Sequence, residues 1–373
     1  MMQMQRESKI KIAIDNIKFP LLAIVFSFII GAFFIIWTGN NPGVAYVELF
    51  SGSLGTVSRF GETMLKTTPL IFTGLAVGFG YRCGLFNIGV EGQYILGTVF
   101  TISAGWIFRD LPGSILPVVL LIAGALGGAI WAFIPGILKA KRGVNEVIIT
   151  IMLNYTALYI ANYVVRAVLN PSILQGTEKK AYSVMIPEQG RLTMLTEIMP
   201  SFGYSSVNTG IFIAIIMAII TWFILFKTTL GYEVRSVGFN PYASEYGGIS
   251  IAKNITLAMV ISGALAGLAG AVMITGLTYK VDMASGMPGY GFDGIAVALV
   301  GKNHPIGILA SAFLFGILKN GERKMQIAGI PKEVIGIIQS IIIIFIAAEA
   351  IGSYWPAIKR KLTGKKEEEV KAS

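Results

Sequence analysis

Three polar side chains in the stretch GLFNIGVEGQYILG (84–97) could do chemistry: Asn87, Glu91 and Gln93, set between strongly apolar flanks. On a helix opening near Gly89, the three-and-four spacing brings Asn87, Glu91 and Tyr94 close to one face. A lone carboxylate at mid-bilayer costs about 2.5–3.5 kcal/mol on insertion scales, so Glu91 at depth must face protein or water. A helix start would also favour its charge through the dipole. Two readings stay open. Either the group lines a passage, or positions a helix end beside one, or Glu91 is an interfacial first-turn residue and Asn87 a cap.

Three further stretches carry polar groups in apolar surroundings. In VNEVIITIMLNYTALYIANY, Asn145 and Glu146 precede a helix while Asn154, Tyr155 and Asn162 lie inside it. A buried amide in hydrocarbon needs partners, so Asn154 and Asn162 are expected to face other helices, as inter-helix hydrogen bonds or as solute contacts. In GMPGYGFDGIAVALVGKNHPIG, a formal GxGxxG (Gly289, Gly291, Gly294) lacks the preceding strand and the βαβ frame of a dinucleotide site. A short apolar segment flanked by Gly and Pro, with Phe292 and Asp293 at its start, instead fits a broken helix near a transport site. Non-helical backbone survives at that depth only against protein or a watery cavity. The stretch TTLGYEVRSVGFNPYASEYGGISIAKN (228–254) spaces Arg235, Gly238, Asn240, Glu245 and Tyr246 among small residues and one Pro. It predicts a short helix, a turn at GFNPYA and a second helix, either a docking element on the inner face or a plain solvated loop.

The elements that must position these residues are membrane helices. Of 373 residues, 54% are hydrophobic and 13% charged, against about 25% charged in a soluble domain. That composition predicts an all-α polytopic membrane protein. The basic start (1–18) is followed by an apolar run to about Trp37, too long for a signal-peptide core and without a small-residue cleavage site, so a retained first span is expected. Further spans are predicted near 66–81, 91–108, 116–138, 146–168, 209–227, 254–277, 292–302, 304–319 and 333–352. Ten spans put both termini in the cytoplasm, with a permease domain over 19–352 and a basic tail over 353–373. The turn KAKRG and the 228–253 loop then lie inside and are basic, and the mixed-charge 169–208 loop lies outside. The basic loop GERKM (321–325) falls on the wrong side.

That misfit coincides with an internal likeness. GALGGAIWAFIPGILKAKRGVNEVI and GILASAFLFGILKNGERKMQIAGIPKEVI share a small-residue helix ending in GILK, a basic turn and Glu-Val-Ile. On the expected topology the two copies run in opposite directions, as in the inverted repeats of transporters. The pairs in GLAVG (74–78), GALGG (124–128) and GALAG (263–267) set two glycines four apart, which lets helices approach closely in lipid.

Several chemistries are excluded. One Cys (Cys83) and one His (His304) leave no intramolecular disulfide, no Cys/His zinc cluster and no Cys–His pair. His304, beside Pro305, reads as a helix-boundary residue. The net charge of +10 sits in short loops and tails, as membrane orientation requires, and does not call for nucleic acid. No G-x-x-x-x-G-K-[ST] occurs, so the chain has no P-loop and active pumping needs a separate ATPase.

GLFNIGVEGQYILG, NEVIITIMLNY, RSVGFNPYASEYGGI and GYGFDGIAVALVG together resemble the membrane permeases of ABC importers for branched-chain amino acids, simple sugars and nucleosides, over about residues 60–350. The first two resemble most closely the bacterial ribonucleoside permeases. The resemblance implies a ten-helix, vitamin-B12-importer-like half-transporter in the bacterial cell membrane. It also implies three partners: a second homologous permease, a cytoplasmic ATPase with two fused nucleotide-binding domains that carries the ATP-Mg, and an external substrate-binding lipoprotein. The stretch from Arg235 to Tyr246 would be the coupling helix. The substrate pathway would draw on Asn87, Glu91, Gln93, Tyr94, Asn154, Tyr155, Phe292 and Asp293, amides and aromatics that suit a neutral nucleoside. No catalytic residue, metal or cofactor is expected in this chain. A sugar or branched-chain amino acid permease and a stand-alone secondary transporter are the alternatives.

Overall fold

The computed structural model describes the backbone of residues 2–362 and the side chains of residues 20–346 and Ala348. Residues 363–373, the greater part of the tail expected over 353–373, lie outside the described residues, as do residue 1 and the side chains of the 1–18 segment. The helices are α1 (Met2–Trp37), α2 (Pro42–Leu54), α3 (Val57–Arg82), α4 (Val90–Ile107), α5 (Leu116–Arg142), α6 (Glu146–Ala167), α7 (Pro171–Leu174), α8 (Leu195–Ile198), α9 (Gly210–Lys227), α10 (Thr229–Phe239), α11 (Pro241–Tyr246), α12 (Ile251–Met273), α13 (Tyr290–Val300), α14 (Pro305–Ile327) and α15 (Glu333–Leu362). A π-helical turn, Ile274–Thr278, continues α12. Among the described residues, β-structure is confined to the isolated bridges Tyr182–Asp282 and Met194–Asn208.

Five stretches are long and apolar enough to cross a membrane: Pro20–Trp37, Leu116–Arg142, Glu146–Leu174, Gly210–Lys227 and Ile251–Thr278. The protein is a helical, multi-pass membrane protein. α3 and α4 are less apolar because protein surrounds them: α3 is buried without a break from Thr67 to Gly80, and α4 from Val90 to Val99. A helix wrapped by other helices can carry Thr, Gly and amides where a lipid-facing helix carries Ile and Leu.

The chain divides into two compact units, Val44–Ala328 on the one hand and Met1–Gly43 with Gly329–Ser373 on the other. In the latter, α1 packs along α15, with Phe26 and Phe345 stacked 6.0 Å apart. In the larger unit, α12 lies against α3, α4 and α5, and α3 lies against α12, α13 and α14. Exchanging α3 with α12, α4 with α13 and α5 with α14 maps these neighbours onto one another. The α5–α12 contact becomes α14–α3, α4–α5 becomes α13–α14, and α4–α12 becomes α13–α3. Glycine permits the closest of these approaches: a Cβ at Gly128 on α5 would come within 2.8 Å of the Gly267 Cα on α12.

Two expectations need correction. The stretch 42–54 is helical and was not anticipated. The GERKM stretch is no loop but the last turns of α14, which runs to Ile327 because no breaker intervenes before Gly329, at φ +82°, and Pro331. Lys324 there is not a free surface cation: its Nζ lies 2.7 Å from Glu48 Oε2 of α2 and donates to Ser51 Oγ at 2.6 Å.

Candidate functional site

Residues 83–89 break the chain between α3 and α4, and residues 279–289 break it before α13. Both breaks are held by the amides and the carboxyl singled out above. Asn87 and Gln93 face each other as paired amides: Asn87 Nδ2 donates to Gln93 Oε1 at 3.0 Å, and Gln93 Nε2 donates to Asn87 Oδ1 at 3.1 Å. Asn87 also accepts from the Gly89 N–H at 3.0 Å and donates to Ser262 Oγ at 2.9 Å, which itself donates to the Ala76 carbonyl at 2.6 Å. Three helices are thereby joined through fully buried polar atoms, each with a partner, as burial requires.

The first turn of α4 has backbone N–H groups with no intrahelical acceptor. Asn154 of α6 supplies one: its Oδ1 accepts from the Gly92 N–H at 2.8 Å, while its Nδ2 donates to the Ile88 carbonyl at 3.0 Å. Eight residues along α6, Asn162 grips the second break in the same bidentate way, donating to the Ala284 carbonyl at 2.8 Å and accepting from its N–H at 3.0 Å.

Glu91 joins the two breaks. Its carboxyl oxygens accept from the Gly289 N–H at 2.6 Å and the Gly291 N–H at 2.5 Å, at the opening of α13. It therefore caps a helix 200 residues away in sequence, where the positive end of the α13 dipole favours a negative charge. Gly289 precedes the helix with φ +89°, and Gly291 leaves no room for a side chain, since a Cβ there would stand 2.5 Å from the Glu91 Cα. The starts of α4 and α13 thus abut around one buried carboxyl group.

Aromatic and charged groups surround this junction. The Tyr94 and Tyr290 rings lie 5.3 Å apart. Asp293 pairs with Lys319 of α14, and the Lys319 ammonium lies 5.4 Å from the Tyr290 ring centroid. The Phe292 and Tyr155 side chains are exposed. Of the eight pathway residues, the structure joins Asn87 with Gln93, Asn154 with the α4 start, and Glu91 with the α13 start; the Tyr94 ring packs on Tyr290, and Asp293 is paired one turn into α13. Lys319, Tyr290 and Ser262 were missed. Lys319 had a signal, since it is the lysine of the repeated GILK; Ser262 had none.

The 228–253 stretch forms the helix–turn–helix that its spacing predicted. Thr228 caps α10 by accepting from the Gly231 N–H at 3.1 Å, and Asn240 caps α11 by accepting from the Ala243 N–H at 3.1 Å, with Pro241 in the first helical position. Arg235 and Gly238 turn toward the bundle. The Arg235 guanidinium lies 5.2 Å from the Phe226 ring centroid and Arg82 lies 5.7 Å from the same ring, while Gly238 packs against Gly84, whose Cβ would stand 3.4 Å from the Gly238 Cα. Asn240, Glu245 and Tyr246 are exposed together with Phe239 and Tyr242. His304 stacks on the other partner of this cluster, Phe226, at 5.1 Å; burial and then the Arg82 charge hold its imidazole below the ordinary histidine pKa.

Among the described residues no group of three His, Cys, Asp or Glu could hold a metal. Comparison with known proteins agrees with a transport role. The family model described as the branched-chain amino acid transport system permease component matches residues 60–347. The guanosine ABC transporter permease protein NupP of Bacillus subtilis (strain 168) is 42% identical over 93% of this chain and 98% of its own length. The nucleoside ABC transporter permease protein NupB of Lactococcus lactis subsp. cremoris (strain MG1363) is 40% identical over 89% of this chain and 91% of its own. A second Bacillus subtilis protein, the guanosine ABC transporter permease protein NupQ, is 31% identical over 69% of this chain and 79% of its own. No solved structure matches the chain. With a helical membrane bundle, two broken helices meeting inside it and a family match over three quarters of its length, the chain belongs to the permease-component family of branched-chain amino acid transport systems.

Proposed function

We propose that this chain is the permease subunit of an ABC importer that carries nucleosides across the bacterial cell membrane. The observation that carries the reading is 42% identity to a guanosine permease protein along nearly the whole of both chains. Ten helices, α1, α3 to α6, α9 and α12 to α15, are the spans, and both termini face the cytoplasm. The pairwise exchange of neighbours supports an inverted repeat and a vitamin-B12-importer-like fold. The repeated GILK makes Lys139 of α5 the counterpart of Lys319 of α14. Residues 1–18 and 353–373 are cytoplasmic, and 169–208 is the outer loop.

The chain has no P-loop, so the energy comes from a separate ATPase, with two fused nucleotide-binding domains and its own ATP-Mg. The exposed tip of α10 and α11, with Asn240, Glu245 and Tyr246, docks on that ATPase; Arg235 and Gly238 transmit the movement to the ends of α3 and α9. NupP and NupQ are two guanosine permease proteins of one organism and both resemble this chain, which supports pairing with a second, homologous permease. A substrate-binding lipoprotein delivers nucleoside from outside. Transport is alternating access: closure of the ATPase moves the α10–α11 elements, the two permeases rock, and the junction of α4 with α13 moves with them. Asn87, Glu91, Gln93 and Asn154 serve the pathway by holding its broken helices in place, while Tyr94, Tyr155, Phe292 and Asp293 lie nearest the solute.

The test is uptake of labelled nucleosides by cells carrying the full transporter, against cells lacking this chain. Uptake that depends on the chain and is competed by unlabelled nucleosides, but not by sugars or branched-chain amino acids, is the expected result. Competition by sugars alone overturns the substrate assignment, and uptake by this chain alone in ATP-free vesicles overturns the ABC assignment.

A further inference from the structure

The exposed helix faces of the larger unit are not chemically alike. On α5 the exposed positions from Val118 to Ile134 are Val118, Ile122, Leu126, Ile130, Phe133 and Ile134. On α9 the exposed positions from Phe212 to Phe223 are Phe212, Ile215, Ile216, Ile219, Ile220 and Phe223. Both are pure hydrocarbon, as a surface bathed by lipid tails demands. α6 departs from this. Its exposed face opens with Ile148, Ile151 and Met152 and then turns to Tyr155, Thr156, Tyr159 and Tyr163, the three tyrosines 55%, 69% and 68% exposed.

Steps of four residues stack these rings one above another on a single face, about 6 Å apart along the axis. None of the three hydroxyls has a hydrogen-bond partner among the described residues. A tyrosine near a helix end suits the membrane–water boundary, and Tyr163, close to the end of α6 at Ala167, has that excuse. Tyr155 and Tyr159 sit in the middle of the 22-residue helix, where hydrocarbon would leave their hydroxyls unpaired. On the same helix Asn154 lies on the buried side and the half-buried Asn162 at the edge of the exposed face, and they grip the two breaks at Ile88 and Ala284. One helix therefore holds both interruptions and also presents an aromatic, hydroxyl-bearing stripe.

We propose that the exposed face of α6 is a wall of the solute passage, and that Tyr155, Tyr159 and Tyr163 form a ladder on which a planar base stacks stepwise as it crosses. The proposal deepens the nucleoside reading and rests on it. Base-on-aromatic stacking tolerates any base, since each has a π face, and the tyrosine and Thr156 hydroxyls give the sugar and the base edges successive, replaceable partners. Weak contacts repeated at one-turn spacing suit passage better than a single tight pocket.

The experiment labels single cysteines in the assembled transporter in membranes. The native Cys83 is buried, so added thiols report alone. Tyr155→Cys and Tyr159→Cys are expected to react with a membrane-impermeant thiosulfonate, and nucleoside should slow the reaction; Ile216→Cys on α9 is the lipid-facing control. Labelling of the α6 cysteines no faster than the control overturns the proposal, and so does oxidative cross-linking to the partner permease without labelling, which marks a dry interface. In uptake assays at equal membrane abundance, Tyr155→Ala and Tyr159→Ala should each lower the rate about tenfold and shift the purine-to-pyrimidine ratio, while the Tyr→Phe variants keep the ratio at a rate between those of the Ala variants and wild type. Unchanged rates and ratio in the Ala variants refute the ladder. A wild-type transporter that moves a sugar instead refutes the nucleoside reading, while the labelling still decides whether α6 lines the passage.

Discussion

Replacing Glu91 tests the junction of α4 and α13 most directly. Its two carboxyl oxygens take the Gly289 and Gly291 N–H groups at 2.6 and 2.5 Å, in a site sealed from solvent. Hydrogen bonds to a charged group are worth about 1.5–3 kcal/mol each, and a buried N–H left without an acceptor carries a comparable penalty. Glu91→Gln preserves the shape but turns one acceptor into a donor facing an N–H, so about 1.5–3 kcal/mol is lost. Glu91→Ala orphans both N–H groups and loses about 3–6 kcal/mol, before any cavity. At about 2 °C per kcal/mol for a chain of this size, the melting temperature should fall by about 3–6 °C for Gln and about twice that for Ala. Melting of the purified transporter in nanodiscs, read beside nucleoside uptake at equal membrane abundance, checks both. Uptake should fall further than the melting shift explains, because the junction is also the moving part. Wild-type melting and uptake in both variants would show that the carboxyl group does not hold α13, and the account of the junction would fall with it.

Gly291→Ala puts a methyl group against the Glu91 backbone and should abolish uptake with a loss of folded protein in the membrane, while Gly286→Ala, with nothing within 4 Å of its Cβ, should not. Asp293→Asn or Lys319→Met alone should destabilise by about 1–3 kcal/mol and the pair together by less than their sum, as a thermal-melting double-mutant cycle will report. Arg235→Glu or deletion within 238–246 should stop uptake without affecting membrane insertion, and Tyr242→Ala should weaken copurification of the ATPase without disturbing the bundle. His304 has its pKa lowered in the folded protein, so the unfolded chain takes up its proton first and stability should drop as pH falls below about 6.5. His304→Gln should flatten that slope below about pH 6.5 in melting experiments.

The membrane character was legible because lipid imposes a simple rule on composition, as the five stretches long and apolar enough to cross show, and the α10–α11 element was legible because Thr228, Asn240 and Pro241 are strong local cap signals. α2 was not, since the sequence of Pro42–Leu54 is too short and too mixed to read as a span and its place depends on Lys324 and Gly321, far along the chain. Residue type left open whether Glu91 and Asn87 lie deep or at the interface, and it named none of their partners or those of Asn154. Ser262, Ile88 and the Gly289 and Gly291 N–H groups are supplied by tertiary contacts, and nothing local marks them. Lys324 of GERKM is paired with Glu48 of α2, a long-range contact that a count of charges along the chain does not reveal.

Asn154 and Asn162 stand eight residues apart on α6, about 12 Å along its axis, each clasping a different unwound segment at both its N–H and C=O sides or across neighbouring residues. Rolling that helix about its own axis would tear both clasps at once, while tilting it bodily would leave them fastened. The cylinder is therefore keyed to its neighbours like a shaft with two splines, free to swing as part of a larger block and barred from spinning. Conformers of the working cycle should differ by hinge-like swings that keep both clasps closed.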